Sequence, residues 1–349
     1  MKAPFVWFGG KRRVAPEVWA ALGDVPNYIE PFAGSLAVLL GRPHDMSNGT
    51  RRAETVNDAD GFLANFWRAL AHDPEAVAHW CDWPVNEVDL FARHLWLVNT
   101  GRSRLLEGME ADPDFYDAQV AGWWVWGVNA WIGSGWCSGD GPWVDTGDGI
   151  GQLPHLGDAG RGVNRQLPHL GTAGQGVNRQ LPHLGNAGRA GYNNMEYRPN
   201  VLGYFEELAG RLRDVRVCCG DWSRVCTSGA MSYGSKVGVF LDPPYLGDVR
   251  TADLYAVDDH TISHAVRDWC LEHGDDPRLR IVLAGYRAEH DDLMPDTWRR
   301  HYYSASAAYS TTESAARQDG NHANRANEVL WFSPHCVTPD RQGELWEAL

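Results

Sequence analysis

The chain has 349 residues, 44% of them hydrophobic, and a formal net charge of −14 at pH 7. This length suits one large domain or two ordinary ones. The acidic balance argues against a protein that holds DNA by bulk electrostatics, because neutralising phosphates requires Lys and Arg. The seven cysteines are odd in number and form no Cys-x-x-Cys pair, so we expect neither a disulfide framework nor a bound metal. No secretory signal or membrane-spanning run is evident, so we expect a cytoplasmic protein.

The first seventy residues predict alternating strands and helices. In chain order the pattern gives a helix at 14–22, a strand at 28–30, a small-residue turn at 31–35, a helix beginning at 37–40, a strand at 56–58 and a helix at 61–70. Pro16 stands in the first turn of the first helix, where its missing N–H costs nothing. Strands alternating with helices predict an α/β fold with an open, mostly parallel sheet.

Residues 71–199 differ in character and are predicted to form an inserted, mainly helical and loop domain. Tryptophan-rich helical stretches are followed by a glycine-rich loop at 133–151 and by an internal repeat of period 14 over 152–192. Gln-Leu-Pro-His-Leu-Gly begins at Gln152, Gln166 and Gln180. Fourteen residues are too few for the common solenoid units, and Pro and Gly in each copy argue against a continuous helix. A solvated linker remains an alternative for this region.

The α/β pattern resumes in residues 200–349, which we assign to the same domain as residues 1–70. The predicted elements are a helix at 201–212, strands at 215–219 and 237–241, a helix at 260–273, and strands at 280–285 and 328–333. The stretch 309–326 is polar and rich in small residues, and is predicted to be a mobile loop.

The strand at 237–241 ends in Asp242-Pro243-Pro244-Tyr245, a combination suited to holding a planar amine. A carboxylate at Asp242 and the carbonyl of Pro243 can each accept one N–H of an exocyclic amino group. Together they would draw its nitrogen towards tetrahedral geometry. Tyr245 can stack on the base, an interaction worth about 1–3 kcal/mol. The alternative is a strand ending in a proline turn with a surface acid.

Four segments together resemble the Dam-type (D12 class, alpha group) DNA adenine N6-methyltransferases. They are Trp7-Phe8-Gly9-Gly10-Lys11, Glu30-Pro31-Phe32-Ala33-Gly34-Ser35, Asn57-Asp58 and Asp242-Pro243-Pro244-Tyr245. The resemblance implies a Rossmann-like class I methyltransferase sheet of seven strands, with a target-recognition domain inserted at 71–199. It also implies site-specific methylation of adenine in double-stranded DNA with S-adenosylmethionine as cofactor, leaving S-adenosylhomocysteine. We expect a monomer in the cytoplasm of a bacterial or phage-infected cell. The 14-residue repeats resemble insertions of phage-encoded members of the family.

The resemblance assigns cofactor roles to residues of several segments. They are Trp7, Lys11, Glu30, Pro31, Phe32, Ala33, Gly34, Ser35, Asp58, Asp221 and Asp242. Asp58 at a strand end can bind the ribose hydroxyls, and Asp221 can accept from the adenine amino group of the cofactor. A helix N-cap is the alternative for both acids. Leu36 stands where relatives often have a small residue, which bears on the path of the turn.

The segment 126–137 resembles the recognition region of that family. We expect DNA contacts from Asn129, Trp131, Ser134, Trp136, Ser138, Arg161, Arg165, Arg179 and Arg189. Trp136 can act as a wedge in the duplex or pack in the core of the inserted domain. Relatives often carry a base-reading Arg where Ser138 stands, so recognition of GATC is not implied. Alternatives for the whole chain are cytosine N4-methylation, an RNA substrate, and a non-catalytic DNA-binding protein acting against restriction.

Overall fold

A computed structural model of the chain describes residues 1–5, 7, 10–43, 52–112, 114–131, 136–137, 143–145, 150–152, 201–244, 259–303 and 328–338. The strands in these ranges are β1 Asn27–Glu30, β2 Ala53–Asp58, β3 Trp143–Asp145, β4 Ile150–Gln152, β5 Val215–Cys219, β6 Val237–Leu241, β7 Leu279–Tyr286, β8 Arg299–Tyr303 and β9 Glu328–Phe332. The predicted loop 309–326 and almost all of the repeat lie outside the described residues.

The helices of the described residues lie before and between these strands, and α3 to α7 follow one another between β2 and β3. They are α1 Ala15–Leu22, α2 Ala37–Leu40, α3 Gly61–His72, α4 Pro74–Cys81, α5 Glu87–Trp96, α6 Arg102–Ala111, α7 Ala118–Ala130, α8 Val201–Leu212, α9 Asp259–His273 and α10 Arg287–His290. Short 3₁₀ turns occur at Lys11–Arg13 and Trp222–Val225. No helix in the described ranges is long and apolar enough to span a membrane.

Seven strands form one mixed sheet in the order β5-β2-β1-β6-β7-β9-β8. Strand β1 runs parallel to β2 and β6, and β6 runs parallel to β7. Strand β9 is inserted antiparallel between β7 and β8. The predicted α/β class with a mostly parallel, Rossmann-like sheet of seven strands is confirmed. The strand order reverses at β1 and β6, the kind of switch point where open α/β sheets bind ligands.

The chain divides into two compact units. The first, called here the sheet unit, comprises Gly9–Asn57, Asp221–Val249 and Val257–Leu349. The second, called the helical unit, comprises Met1–Phe8, Asp58–Gly220 and Arg250–Ala256. The domain boundaries predicted near residues 70 and 200 stay predictions.

Apolar strands and helix α1 build the core of the sheet unit. All five residues of β6 are buried, as expected for a parallel strand covered on both faces. Helix α1 carries Trp19, whose ring lies 4.7 Å from that of Tyr28 on β1. Gly238 of β6 allows close approach, because a Cβ there would lie 2.9 Å from Val25 and 3.3 Å from Leu22.

Strand β8 was not predicted from the sequence. Its residues Arg299-Arg300-His301-Tyr302-Tyr303 are all exposed or half-buried, and among the described strands it pairs only with β9. Polar residues at an edge give no clear hydrophobic alternation, so the pattern did not reveal a strand. Helix 201–212 and the strands 215–219 and 237–241 have the predicted bounds.

The helical unit is held by aromatic packing and by capped helices. Phe5 lies against Phe66, Trp67 and Trp124 at ring-centre distances of 5.6, 5.6 and 5.3 Å. Asp117 caps α7 by accepting from the N–H of Val120 at 2.9 Å. The antiparallel hairpin of β3 and β4 begins within the stretch 133–151 that was predicted as a glycine-rich loop, and ends at Gln152.

Candidate active site

The site is built at the carboxyl ends of two neighbouring parallel strands. Asp242 directly follows β6, and Pro31 directly follows β1. The two strands are in register, with Ile29 of β1 opposite Val239 of β6. Because parallel strands end at the same edge of a sheet, the two turns predicted to be functional meet there.

A buried ion pair links the first helical turn of the chain to the predicted catalytic turn. Lys11 Nζ lies 3.0 Å from Asp242 Oδ1, and the two side chains are 5% and 19% exposed. Burying an ammonium group is costly unless an opposite charge and hydrogen bonds compensate it. The sequence predicts a cofactor contact for Lys11. The structure adds a role that the sequence did not reveal, because Lys11 holds the carboxylate of Asp242.

A second acid, Glu30, is the last residue of β1, and its burial favours the uncharged form of the carboxyl group. Its side chain is buried, and Tyr28 donates from Oη to Glu30 Oε2 at 2.8 Å. The pKa of Glu30 is raised to about 8, chiefly by burial and to a smaller extent by the charges of Asp242 and Glu54, although hydrogen bonds from Tyr28 and the Leu39 N–H act in the opposite direction. Burial therefore favours the protonated form of Glu30 next to the Lys11–Asp242 pair.

The turn after β1 has two residues in the left-handed region. Gly34 has φ of 48° and Leu36 has φ of 55°. A non-glycine residue there costs on the order of 1–3 kcal/mol, and complete burial of the Leu36 side chain helps to hold it. Asn57 fixes the start of the turn, donating from Nδ2 to the Pro31 carbonyl at 3.0 Å and accepting from the Ala33 N–H at 2.9 Å. Ser35 at the end of the turn is buried.

An aromatic pair of the sheet unit includes one residue that the sequence analysis did not select. The rings of Phe32 and Trp222 are stacked, with centres 6.1 Å apart and planes at 28°. Asp221, before Trp222, caps the 3₁₀ turn by accepting from the Ser223 N–H at 2.9 Å. The cap considered for Asp221 is thus present, and its cofactor role stays a prediction. The sequence offered one indication that Trp222 belongs to the site: it is an aromatic residue directly after an acid near the end of a strand.

Asp58 and Trp7 belong to the helical unit. Asp58 ends β2 and accepts from the Asp60 N–H at 3.0 Å, whereas the N-cap of α3 is Asp60, which accepts from Phe62 at 2.8 Å. Asp60, and not Asp58, is therefore the N-cap of α3. Trp7 lies against Phe5 and Trp124, at 5.8 and 5.9 Å between ring centres. The cofactor roles of Asp58 and Trp7 stay predictions.

Three predicted DNA contacts are described, and all three make packing contacts in the helical unit. Asn129 is buried and donates from Nδ2 to the Val125 carbonyl at 2.8 Å. Trp131 stacks on His94 at 4.9 Å with planes at 17°. Trp136 donates from Nε1 to the Trp124 carbonyl at 3.0 Å. Their DNA roles stay predictions.

The remaining predicted site residues either follow Asp242 directly or lie outside the described residues. Pro243 and Pro244 follow Asp242 as expected, with Pro243 buried. Outside the described residues lie Tyr245, Ser134, Ser138, Arg161, Arg165, Arg179 and Arg189. Within the described ranges, no group of three His, Cys, Asp or Glu side chains is placed to hold a metal ion.

Comparison with known families bears on residues 7–85. This range matches the model of the family described as D12 class N6 adenine-specific DNA methyltransferase. Residues 7–85 are therefore similar to a D12 class adenine methyltransferase domain. No curated protein matches the chain.

The D12 match includes Lys11, Glu30, the turn from Pro31 to Ser35, and Asp58. It confirms the enzyme class predicted from the sequence, an adenine-specific DNA methyltransferase. The D12 family also implies S-adenosylmethionine as the methyl donor and DNA as the substrate. Asp242 lies outside the matched range, and its link to the D12 domain is the ion pair with Lys11.

Proposed function

We propose that this enzyme transfers a methyl group from S-adenosylmethionine to the N6 amino group of an adenine flipped out of double-stranded DNA, at specific sites. The observation that carries the proposal is the ion pair between Lys11 and Asp242 at the carboxyl edge of β6. It joins the D12 domain to the Asp-Pro-Pro turn at the switch point of the sheet. A base inside a duplex is out of reach of such a turn, and flipping it costs a few kcal/mol.

Asp242 and Pro243 perform the substrate chemistry in this proposal. The Asp242 carboxylate accepts one hydrogen of the amino group, and the Pro243 carbonyl accepts the other. Both acceptors strengthen their bonds as positive charge develops on the nitrogen, so they stabilise the transition state more than the ground state. The proton leaves after transfer, to water or through Asp242. Tyr245 supplies stacking on the base.

Lys11 positions the carboxylate for this task. One oxygen of Asp242 is engaged by the ammonium group at 3.0 Å, which restricts rotation of the carboxylate. Protonated Glu30 avoids a second negative charge behind Asp242, because like charges at close range destabilise each other. The pair thus presents a single, oriented acceptor to the amine.

The residues present fit the cofactor. The turn from Pro31 to Ser35 exposes backbone at Gly34, where φ of 48° bends the chain sharply. The stacked rings of Phe32 and Trp222 offer apolar faces for an adenine ring, beside the carboxylate of Asp221. Asp58 is proposed to bind the ribose hydroxyls, and Trp7 to flank the cofactor. When bound, S-adenosylmethionine supplies an electrophilic methyl group.

The test uses purified protein, S-adenosylmethionine labelled in its methyl group and unmodified duplex DNA. Wild type is expected to label DNA, and nucleoside analysis is expected to give N6-methyladenine. Asp242→Asn keeps the size of the side chain but loses the carboxylate, and should bind cofactor while transfer falls by at least about 100-fold. Equal transfer by Asp242→Ala would refute the mechanism, and N4-methylcytosine in the product would refute the choice of base.

A further inference from the structure

The buried carboxyl group of Glu30 has partners on two elements of the sheet unit. Tyr28, two residues earlier on β1, donates from Oη to Glu30 Oε2 at 2.8 Å. The N–H of Leu39 on α2 donates to the same carboxyl group. Glu30 is only 2% exposed. One side chain therefore connects the last residue of β1 to the third residue of α2.

Helix α2 needs this acceptor because its own N-cap residue cannot provide one. The first N–H groups of a helix have no partner within the helix, and a Ser, Thr, Asp or Asn at the N-cap usually supplies an oxygen. The N-cap of α2 is Leu36, in the left-handed region at φ of 55°, and its side chain makes no capping hydrogen bond. Glu30 thus supplies from β1 an acceptor that the N-cap lacks.

Helix α2 is also tied to α1 by a buried hydrogen bond. Trp19 donates from Nε1 to the Val38 carbonyl at 2.7 Å. The ring of Trp19 lies 4.7 Å from that of Tyr28, the residue that bonds to Glu30. Val38 and Leu39 are fully buried. Side chains from α1 and β1 therefore fix α2 at two successive residues.

The predicted cofactor turn lies between the two elements that Glu30 connects. The turn from Pro31 to Ser35 begins directly after Glu30, and Leu36 at its far end is the N-cap of α2. Restraining both ends of such a short segment removes most of the conformations that it could otherwise adopt. A turn that is already ordered loses less conformational entropy when it binds a ligand.

We propose that Glu30 is a positioning residue that holds the cofactor turn in place through α2, and that it is not the counter-charge of the cofactor. This inference rests on the proposed function, in which the turn from Pro31 to Ser35 contacts S-adenosylmethionine. Glu30 acts through Leu39 and Tyr28, whereas the turn itself makes the contact.

The surroundings of Glu30 separate holding the turn from neutralising the cofactor. S-adenosylmethionine carries positive charge on its sulfonium and ammonium groups, which an anion would balance. The carboxyl group of Glu30 already has two donors, and its burial raises its pKa to about 8, which favours the neutral form. A neutral acid suffices to accept hydrogen bonds from Tyr28 and Leu39, but it cannot balance a charge.

Two substitutions of Glu30 distinguish these roles. Glu30→Gln keeps the size of the side chain and a carbonyl oxygen, but cannot carry a charge. Glu30→Met keeps the length and removes the acceptors. A positioning role predicts that Glu30→Gln binds S-adenosylmethionine within about 3-fold of wild type, whereas Glu30→Met weakens binding by at least about 10-fold. A counter-charge role predicts that both variants lose about 100-fold.

Three measurements on the full chain follow the turn and the cofactor separately. Calorimetry gives the Kd for S-adenosylmethionine and for S-adenosylhomocysteine, which lacks the sulfonium charge, and Glu30→Met should weaken both by a similar factor. In the cofactor-free protein, the Leu39 amide should exchange hydrogen faster in Glu30→Met than in wild type or Glu30→Gln. The kcat of Glu30→Met at saturating cofactor and DNA should stay within about 3-fold of wild type, because Lys11 and Asp242 are unchanged.

Asn27→Ala is the matched control, because Asn27 is a buried polar residue at the other end of the same strand. It donates from Nδ2 to the Ala230 carbonyl at 2.9 Å. Its replacement should lower stability but leave the cofactor Kd and the exchange of the Leu39 amide as in wild type. If Asn27→Ala weakens cofactor binding as much as Glu30→Met, general loosening of β1 explains the effect and the positioning role is wrong.

The outcomes separate the inference from the function on which it rests. If wild type binds cofactor and methylates DNA, but Glu30→Gln and Glu30→Met lose cofactor binding equally, the positioning role is refuted and the enzyme function stands. The same conclusion follows if both variants bind cofactor as wild type does. If wild type does not bind S-adenosylmethionine, both proposals fail.

Discussion

Replacing Glu30 by Gln should change how stability depends on pH. The carboxyl group is buried, and its pKa is raised from 4.5 to about 8 chiefly by burial. A raised pKa in the folded state means that the protonated group stabilises the fold at low pH. That contribution is complete below the unfolded value of 4.5 and is lost as pH rises towards 8.

The expected change in the free energy of unfolding follows from the width of the pH interval over which Glu30 titrates. Each pH unit between the unfolded pKa of 4.5 and the folded pKa of about 8 changes stability by about 1.4 kcal/mol. The interval from pH 5 to pH 8 therefore amounts to about 4 kcal/mol. Glu30→Gln retains an acceptor for the Tyr28 hydroxyl but does not titrate. The variant should be close to wild type at pH 5 and should gain progressively over it towards pH 8.

Urea unfolding of both proteins at several values between pH 5 and pH 8 measures this difference. The difference between the two proteins is the quantity of interest, because titration of all other groups is common to both. Tyr28→Phe is a useful companion, since removing the hydrogen bond from Tyr28 removes an interaction that lowers the pKa of Glu30. Parallel stability curves for wild type and Glu30→Gln would show that the buried Glu30 does not titrate in this window.

Three further substitutions test other parts of the structure. Lys11→Met leaves the Asp242 carboxylate without its ammonium partner at 3.0 Å. It should lower kcat by at least about 10-fold, with little change in the Kd for the cofactor measured by calorimetry. An unchanged kcat would contradict the positioning role of Lys11. Gly127→Ala places a Cβ 1.7 Å from Trp136 Cζ2, so it should displace the indole and destabilise the protein by about 1–3 kcal/mol; a wild-type fluorescence spectrum and stability would argue against this packing. Trp222→Ala should weaken binding of S-adenosylmethionine by about 1–3 kcal/mol if its ring stacks on adenine, and unaltered affinity would exclude that contact.

Elements that depend on local sequence could be predicted well. Helix Val201–Leu212 and strands Val215–Cys219 and Val237–Leu241 have the bounds expected from their apolar patterns. These signals arise within one element, because a helix or strand buries the same face along its length. Strand β8 carries Arg and Tyr at an edge, where burial imposes no such pattern, and it was missed.

Contacts between distant segments could not be predicted in the same way. Lys11 and Asp242 are far apart in the sequence, and neither flanking sequence reveals that their side chains meet. The stacking of Phe32 on Trp222 is likewise a result of folding. The sequence left two roles possible for Asp58, a helix N-cap and a contact with the ribose of the cofactor. The structure shows that Asp60, and not Asp58, is the N-cap of α3.

The sequence by itself determined helix α8, strands β5 and β6, and which polar residues follow the strands, including Asp242 after β6 and the turn after β1. The tertiary structure decided the charge state and orientation of these residues. Burial of Glu30 raises its pKa, and the approach of Lys11 orients Asp242. Both effects depend on the environment made by several segments together, because desolvation and charge pairing are properties of the packed site and not of any one stretch of chain.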